Sequence, residues 1–153
     1  MRRDPRRLMK WINWYAPFLG ANIRVVYTAP DFRTIRVQSK LGWRNLNAVG
    51  THFGGTLYTM CDPWFMLILM HALGEEYIVW DKAANIQFLR PGRGTVTATF
   101  CVTPEQIDSL RAQADQSEKI EPTFGVDIVD EQNEIVAHVD KLLYIRKKKR
   151  KPE

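Results

Sequence analysis

The residues of this chain best suited to chemistry lie between Asn47 and Asp62. Two adjacent glycines, Gly54 and Gly55, let the backbone turn tightly and approach a ligand, because neither carries a Cβ atom. The apolar run from Thr56 predicts a helix, since it is too long for an ordinary strand. Free amides at the amino end of a helix favour negative charge. Those near Gly55 could therefore stabilise a carbonyl oxygen as it gains charge.

Asp62 is the acidic residue of this apolar segment, where an ionised carboxylate is costly unless it is paired or used. Two interpretations stay open. Asp62 could cap a second helical piece that begins at Pro63, because aspartate before proline is a good start signal for a helix. It could also face a cleft as a general base or nucleophile. Pro63 removes a backbone donor, which predicts a kink near Thr59.

The spacing of Asn47, Gly50, the glycine pair and an aspartate seven residues later resembles that of the hot-dog-fold acyl-CoA thioesterases. The phenylacetyl-CoA type is the most similar. The run over 86–91 is similar to the strand and turn that follow the central helix in that family. The resemblance covers about residues 45–103, and the order of elements extends it to most of the chain.

The chain departs from this family at one position. The family has a histidine directly before the glycine pair, whereas this chain has Phe53 there and His52 one residue earlier. The resemblance therefore identifies the chain as a member of a divergent branch. His52 could contact a thioester, or it could form only a hydrogen bond that stabilises the loop.

The resemblance implies a mechanism for thioester hydrolysis. It gives Asp62 the role of base or nucleophile and Asn47 an orienting role, beside the amides near Gly55. It also implies sites at subunit interfaces, an acyl-CoA or acyl-carrier thioester as substrate, and no cofactor apart from coenzyme A as part of that substrate. The alternative is a non-catalytic hot-dog module that binds acyl-CoA or an acylated carrier.

Four further residues could bind the substrate. Tyr58 and Met66 share a helical face with Asp62 and could line an acyl tunnel or pack in the core. Arg90 and Arg93 flank a turn and carry the fork-shaped charge that suits coenzyme A phosphates, although turn arginines are also commonly solvated.

The cysteines and histidines indicate neither a metal site nor a disulfide framework. Three histidines without a cysteine–histidine cluster predict no structural metal. Cys61 and Cys101 both lie among apolar neighbours, which predicts buried free thiols in the reducing environment of the cytoplasm.

The order of elements predicts an α+β fold in which an antiparallel sheet wraps around one long central helix. The length of 153 residues predicts one domain over 1–153. A sheet of this kind leaves edges uncovered, which predicts a homodimer or homotetramer. The predicted helices lie at about 5–19, at 54–74 and after a capping box over 103–106, and the predicted strands at 23–28, 34–40, 77–80, 85–90, 96–102, 122–129 and 135–145.

The net charge of +5 comes largely from the chain ends, namely the first ten residues and a basic tail over 146–153. Such runs are usually solvated, yet they could meet a polyanion or a membrane surface. No specific nucleic acid is expected as a partner, because the aromatic residues lie mainly in apolar runs rather than on a basic face.

Overall fold

The computed structural model describes residue 9 and residues 11–149. Most of the two basic ends, at 1–8, 10 and 150–153, therefore lies outside the described residues, and the single domain predicted over 1–153 stays a prediction. Within the described part, residues 9, 11 and 12 are helical, and a short helix α1 spans Ala16–Gly20. Turn residues at 13 and 14 separate these pieces, so the predicted first helix is interrupted before Pro17.

Six strands of the described residues form one antiparallel sheet in the order β1-β2-β4-β5-β6-β3. The predicted α+β fold is confirmed. The strands are β1 (Ile23–Thr28), β2 (Thr34–Lys40), β3 (Tyr77–Phe88), β4 (Thr95–Cys101), β5 (Thr123–Val129) and β6 (Ile135–Lys147).

Two strands extend further than their sequence patterns predict. β3 is one strand rather than two, because a bulge between Asp81 and Ala83 lets it continue its pairing with β6. β6 reaches Lys147, which pairs with Tyr77. The first residues of the predicted tail, Arg146 and Lys147, therefore belong to the sheet.

The central helix is broken into two pieces, α2 (Gly54–Thr59) and α3 (Trp64–Leu73). In the turn between them, the amides of Cys61 and Asp62 donate to carbonyls three residues earlier, and Pro63 has no amide to donate. The prediction of one helix over 54–74 is therefore wrong in its continuity, although the predicted kink is found where the sequence places it.

Helix α3 forms the centre of the hydrophobic core. The Phe65 ring packs at 5.0 Å from that of Phe124 and at 5.2 Å from that of Phe100, measured between ring centroids. Side chains on β4 alternate as predicted, with Val96 and Ala98 buried. The same alternation exposes Cys101, so the prediction that both cysteines are buried holds only for Cys61.

Helix α4 (Pro104–Gln116) begins with the predicted capping box. Thr103 Oγ1 accepts a hydrogen bond from the Gln106 amide, and Gln106 Oε1 accepts one from the Thr103 amide. Its buried residues Ile107, Leu110 and Ala114 are the predicted inner face. None of the helices within the described ranges has both the length and the apolar character that crossing a bilayer requires.

We expect Ile68→Ala to lower the free energy of unfolding by about 2–5 kcal/mol, because Ile68 is fully buried on α3 and its truncation leaves a cavity. Chemical denaturation monitored by circular dichroism measures this loss. Ile135→Ala, at a 39% exposed position on β6, is the matched control and should cost far less. Equal losses in the two variants would contradict the central place of α3 in the core.

Candidate functional site

A fully buried lysine lies beneath the turn between α2 and α3. Lys141 Nζ on β6 lies 3.1 Å from Asp62 Oδ1, 3.4 Å from Asp81 Oδ2 and 3.2 Å from the Tyr58 hydroxyl. Tyr58 donates its own proton to Asp62 Oδ1 at 2.9 Å. These four residues, the Lys141 cluster, connect the turn to strands β3 and β6.

The charges of the Lys141 cluster depend on one another. Burial by itself would lower the pKa of Lys141, but Asp81, the Tyr58 hydroxyl and Asp62 outweigh burial and raise it. Burial raises the pKa of Asp81, because one ammonium shared with Asp62 only partly offsets the desolvation. Burial also raises the pKa of the Tyr58 phenol, which therefore remains a donor.

Asp62 is more exposed than its apolar surroundings in the sequence predict. Its side chain is 52% exposed, because the turn at Pro63 carries it out of the core. Helix α3 has no side-chain cap, so the interpretation of Asp62 as a helix cap is wrong. Asp62 Oδ1 accepts hydrogen bonds from both Tyr58 and Lys141, whereas Oδ2 has no hydrogen-bond partner among the described residues.

Cys61 lies next to Asp62 but points into the core. Its side chain is buried, and desolvation raises the pKa of the thiol well above its usual range. A thiol without thiolate character is a poor nucleophile, so Cys61 is a packing residue.

Asp62 lines a cavity of about 610 Å³. We call it the tryptophan cavity, and its wall includes Trp11, Trp14, Tyr15, Phe18, Asp62 and Met66. Met66 thus lies in the same wall as Asp62, as its helical spacing predicts. Tyr58 does not line this cavity and instead orients the carboxylate from behind.

Asn47 holds the loop that precedes the glycine pair. Its side-chain oxygen accepts hydrogen bonds from the amides of Val49 and Thr51, and its Nδ2 donates to Thr51 Oγ1 and to the His52 carbonyl. Gly50 adopts φ 78° within this loop, a conformation that favours glycine. With both ends of its amide occupied, Asn47 acts on any substrate through the shape of the loop.

His52 is buried beside the same loop, with 3% of its surface exposed. Its Nε2 lies 3.0 Å from the Gly94 carbonyl and therefore carries the proton. Burial lowers the pKa of His52, so the ring is neutral, and its Nδ1 is left without a partner among the described residues.

Aromatic rings pack directly against the two glycines, so a side chain at either position would displace a ring. A Cβ atom at Gly55 would lie 2.3 Å from the Phe53 ring, and one at Gly54 would lie 2.9 Å from the Phe88 ring. The amides of Gly54 and Gly55 open helix α2 and so have no partner within it.

A second cavity of about 600 Å³ lies beside this loop. We call it the glycine-turn cavity, and its wall includes Asn47, Val49, His52, Phe88, Arg90 and Arg93.

The two arginines of this wall differ in their availability. Arg90 is occupied, because it lies 2.9 Å from Asp130 and donates to the Ile135 carbonyl. Arg93 has no ion pair among the described residues and is free to meet an anion.

The structure therefore divides the predicted site residues between two places. Asn47, His52, Arg90 and Arg93 surround the glycine-turn cavity, whereas Asp62, Tyr58 and Met66 surround the turn at Pro63. Gly55 lines neither cavity. Within the described part of a single chain, Asp62 and the loop residues thus do not share one pocket.

Sequence reasoning missed Lys141 and Asp81. The sequence does contain a usable signal. On β6, every second residue faces inward, and Lys141 lies at such a position between Val139 and Leu143. On β3, Asp81 lies at the next inward-facing position after Tyr77 and Val79. Two opposite charges at inward positions of different strands predict a buried ion pair.

Solved structures with the same fold include several thioesterases. A protein of unknown function from Pseudomonas aeruginosa, described as a probable thioesterase, superposes with a TM-score of 0.82 at 21% identity, covering 97% of this chain and 99% of that one. A thioesterase from Haemophilus influenzae has a TM-score of 0.65 at 15% identity, with 96% and 93% covered. No curated protein matches the chain.

A hypothetical thioesterase from Streptococcus pneumoniae, solved with coenzyme A, has a TM-score of 0.61 at 19% identity, with 93% and 99% of the two chains covered. At these identities the similarity establishes the fold, and the predicted hot-dog fold is confirmed. The family described as Domain of unknown function (DUF4442) matches residues 6–145, and the chain belongs to that family.

Proposed function

We propose that this protein hydrolyses acyl-CoA thioesters with Asp62 as the general base or nucleophile. The observation that carries the proposal is the Asp62 carboxylate itself, whose Oδ1 accepts hydrogen bonds from Tyr58 and Lys141 while no described residue bonds to its Oδ2. A carboxylate held in this way can attack a thioester carbonyl or take a proton from water with little reorganisation. The coenzyme A in the structure of the Streptococcus pneumoniae thioesterase supports the choice of substrate.

The glycine loop supplies the second part of the proposed mechanism. The unpaired amides at the start of α2, near Gly55, stabilise the thioester oxygen as it becomes negative. Asn47 and His52 keep this loop in place through their hydrogen bonds. Arg93 is available for a phosphate of coenzyme A, whereas Arg90 is occupied at the turn between β5 and β6, by Asp130 and the Ile135 carbonyl.

Assembly of two copies would bring these parts together. Strand β3 is an edge of the sheet, and exposed apolar residues lie at its end and around the glycine loop, among them Val49, Phe53 and Phe88. Such a surface suits a subunit contact. In a homodimer, or a homotetramer built from it, Asp62 of one copy would face the glycine loop of another.

One observation favours the alternative, a module that binds acyl-CoA or an acylated carrier without hydrolysis. The Phe53 ring packs against Gly55, and Phe53 takes the position before the glycine pair at which the resemblance implies a histidine. Turnover of a panel of acyl-CoAs separates the two functions.

Replacement of Asp62 by asparagine tests the mechanism. Asp62→Asn keeps the shape and removes the charge, so we expect hydrolysis of acyl-CoA to fall by about 10²–10⁴ while acyl-CoA binding changes little. Steady-state kinetics and isothermal titration calorimetry measure the two effects. Lys141 loses one of its two counter-charges in this variant but keeps Asp81, so the fold should be retained at some loss of stability. Asp108→Asn, an exposed carboxylate on α4, is the matched control.

Two outcomes decide between the functions. Wild-type turnover in Asp62→Asn contradicts the mechanism. A wild-type protein that binds acyl-CoA and hydrolyses none of the panel has the alternative function, that of a binding module.

Replacement of Lys141 tests the cluster that holds Asp62. Lys141→Met leaves Asp81 partly buried without its counter-ion, and breaking a buried pair in this way costs about 3–5 kcal/mol. Lys82→Met is the control, since Lys82 and Glu121 form an exposed pair at 2.7 Å whose loss should cost less than about 1 kcal/mol.

The loss in Lys141→Met should depend on pH. Without the ammonium, the pKa of Asp81 rises further above its value in the unfolded chain. The folded variant therefore binds a proton more tightly than the unfolded chain does, and its stability increases as pH falls. The wild-type pair, with the pKa of Lys141 raised, stays intact below the ordinary lysine pKa. The melting temperatures of variant and wild type should therefore converge from pH 8 to pH 5, and a constant difference would refute this account.

The shared site requires assembly. We expect light scattering to show at least a dimer, and we expect Phe88→Glu to shift the protein towards monomers and to lower acyl-CoA turnover together. Tyr27→Glu places the same charge on β1, the opposite edge of the sheet, and should do neither. A fully active monomer would rule out a site shared between subunits.

A further inference from the structure

The wall of the tryptophan cavity exposes more aromatic surface than a folded domain needs for its own core. Trp11, Trp14 and Tyr15 are 71%, 72% and 54% exposed. All three line the same cavity, opposite Met66 and Leu67 of α3. Single exposed apolar side chains are common on protein surfaces, but a group of them in a concave site is typical of a binding surface.

This wall is built into the fold by fixed contacts. The Asn13 side chain accepts a hydrogen bond from the Val25 amide at 2.8 Å and donates one to the Val25 carbonyl at 3.2 Å, which docks the segment onto β1. Phe18 is 2% exposed, and its ring centroid lies 5.7 Å from that of Trp64. The exposed tryptophans are thus carried by a segment with its own anchors in the core.

Asp62 is the one charged residue in the described part of this wall. A carboxylate at the margin of an otherwise apolar cavity sets the position of the polar group of a ligand, while the remaining wall receives an apolar chain. The reacting carbonyl of a thioester is the polar group that the proposed function places at Asp62.

The size of the cavity leaves room for an extended apolar group. A cavity of about 150 Å³ accommodates benzene, and the tryptophan cavity is about 610 Å³. The cavity therefore has room for more than a phenylacetyl group, and an extended aliphatic acyl chain can contact Met66, Leu67 and the two tryptophans together.

We propose that the tryptophan cavity is the acyl site and that it takes a medium-length aliphatic chain, with the thioester carbonyl at Asp62. This inference rests on the proposed function for its choice of ligand. The acyl chain lies between residues 11–18 and α3, and the coenzyme lies on the other side of Asp62.

The test measures binding as a function of acyl length, with hexanoyl-CoA, decanoyl-CoA, tetradecanoyl-CoA and free coenzyme A as probes. Calorimetry uses Asp62→Asn so that the substrate is not consumed, and initial rates on the wild type run in parallel. Burial of one methylene contributes up to about four-fold in affinity. Affinity should therefore rise steeply from hexanoyl-CoA to decanoyl-CoA and level off once the cavity is filled.

Two variants change the cavity and a third serves as control. Trp14→Ala removes part of the wall, and Met66→Trp fills the space. Both should weaken decanoyl-CoA binding by at least about ten-fold and flatten the length dependence, while the affinity for free coenzyme A stays constant. Trp43→Ala removes an exposed tryptophan outside the cavity, 84% exposed, and should change neither.

The outcomes separate this inference from the proposed function. If no acyl-CoA is hydrolysed but length-dependent binding exists and is lost in Trp14→Ala, the acyl site stands and the thioesterase function fails. If hydrolysis occurs and its length preference is the same in Trp14→Ala and Trp43→Ala, the acyl site is refuted and the function stands. A change in oligomeric state in Trp14→Ala, with unchanged acyl binding, would assign the cavity to a second copy and also refute the acyl site.

Discussion

The burial of one ammonium group is a strong constraint on this structure. Lys141 is fully buried on β6, and a charge in such a place must be paired. Asp81 from β3 and Asp62 from the helix turn supply the counter-charges, and Tyr58 completes the set. The sheet, the turn and the candidate catalytic carboxylate are therefore held by a single electrostatic arrangement, and none of its members can change without leaving another unsatisfied.

The break in the central helix gives this arrangement its access to ligands. Because Pro63 interrupts the helical hydrogen bonds, the turn moves outward, and Trp64 begins α3 within the core. Asp62 thus has one oxygen fixed from the interior, while its side chain is half exposed and its other oxygen has no partner within the described ranges. This combination of rigidity and access is what a carboxylate needs for hydrolysis.

The two cavities differ in their lining, which fits the proposal that each binds a different part of the substrate in an assembly. One is lined by the glycine loop with Arg93, and the other by aromatic residues with Asp62. In the proposed enzyme the first serves the coenzyme and the second the acyl chain, and the thioester lies between them. In the proposed assembly, the edge strand β3 and its exposed apolar end would form the contact between two copies.

Local patterns in the sequence were sufficient for most elements. The alternation over 96–102, the capping box at Thr103 and the apolar run after Gly55 each depend on neighbours in the chain, so their strands and helices can be predicted. Asp62 could be singled out because a charge within an apolar run is a local anomaly. The spacing of Asn47, Gly50 and the glycine pair likewise pointed to the loop beside the second cavity.

The contacts that only the tertiary structure decided join residues that are distant in the chain. Lys141 lies 79 residues after Asp62, and only the pairing of β6 with β3 and its packing beneath the turn bring the two within 3.1 Å. The tryptophan cavity likewise requires Trp14 and Met66 to lie on opposite walls. Such contacts depend on register and packing. The sequence therefore shows which side chains are charged or apolar, but the fold decides which residues they contact.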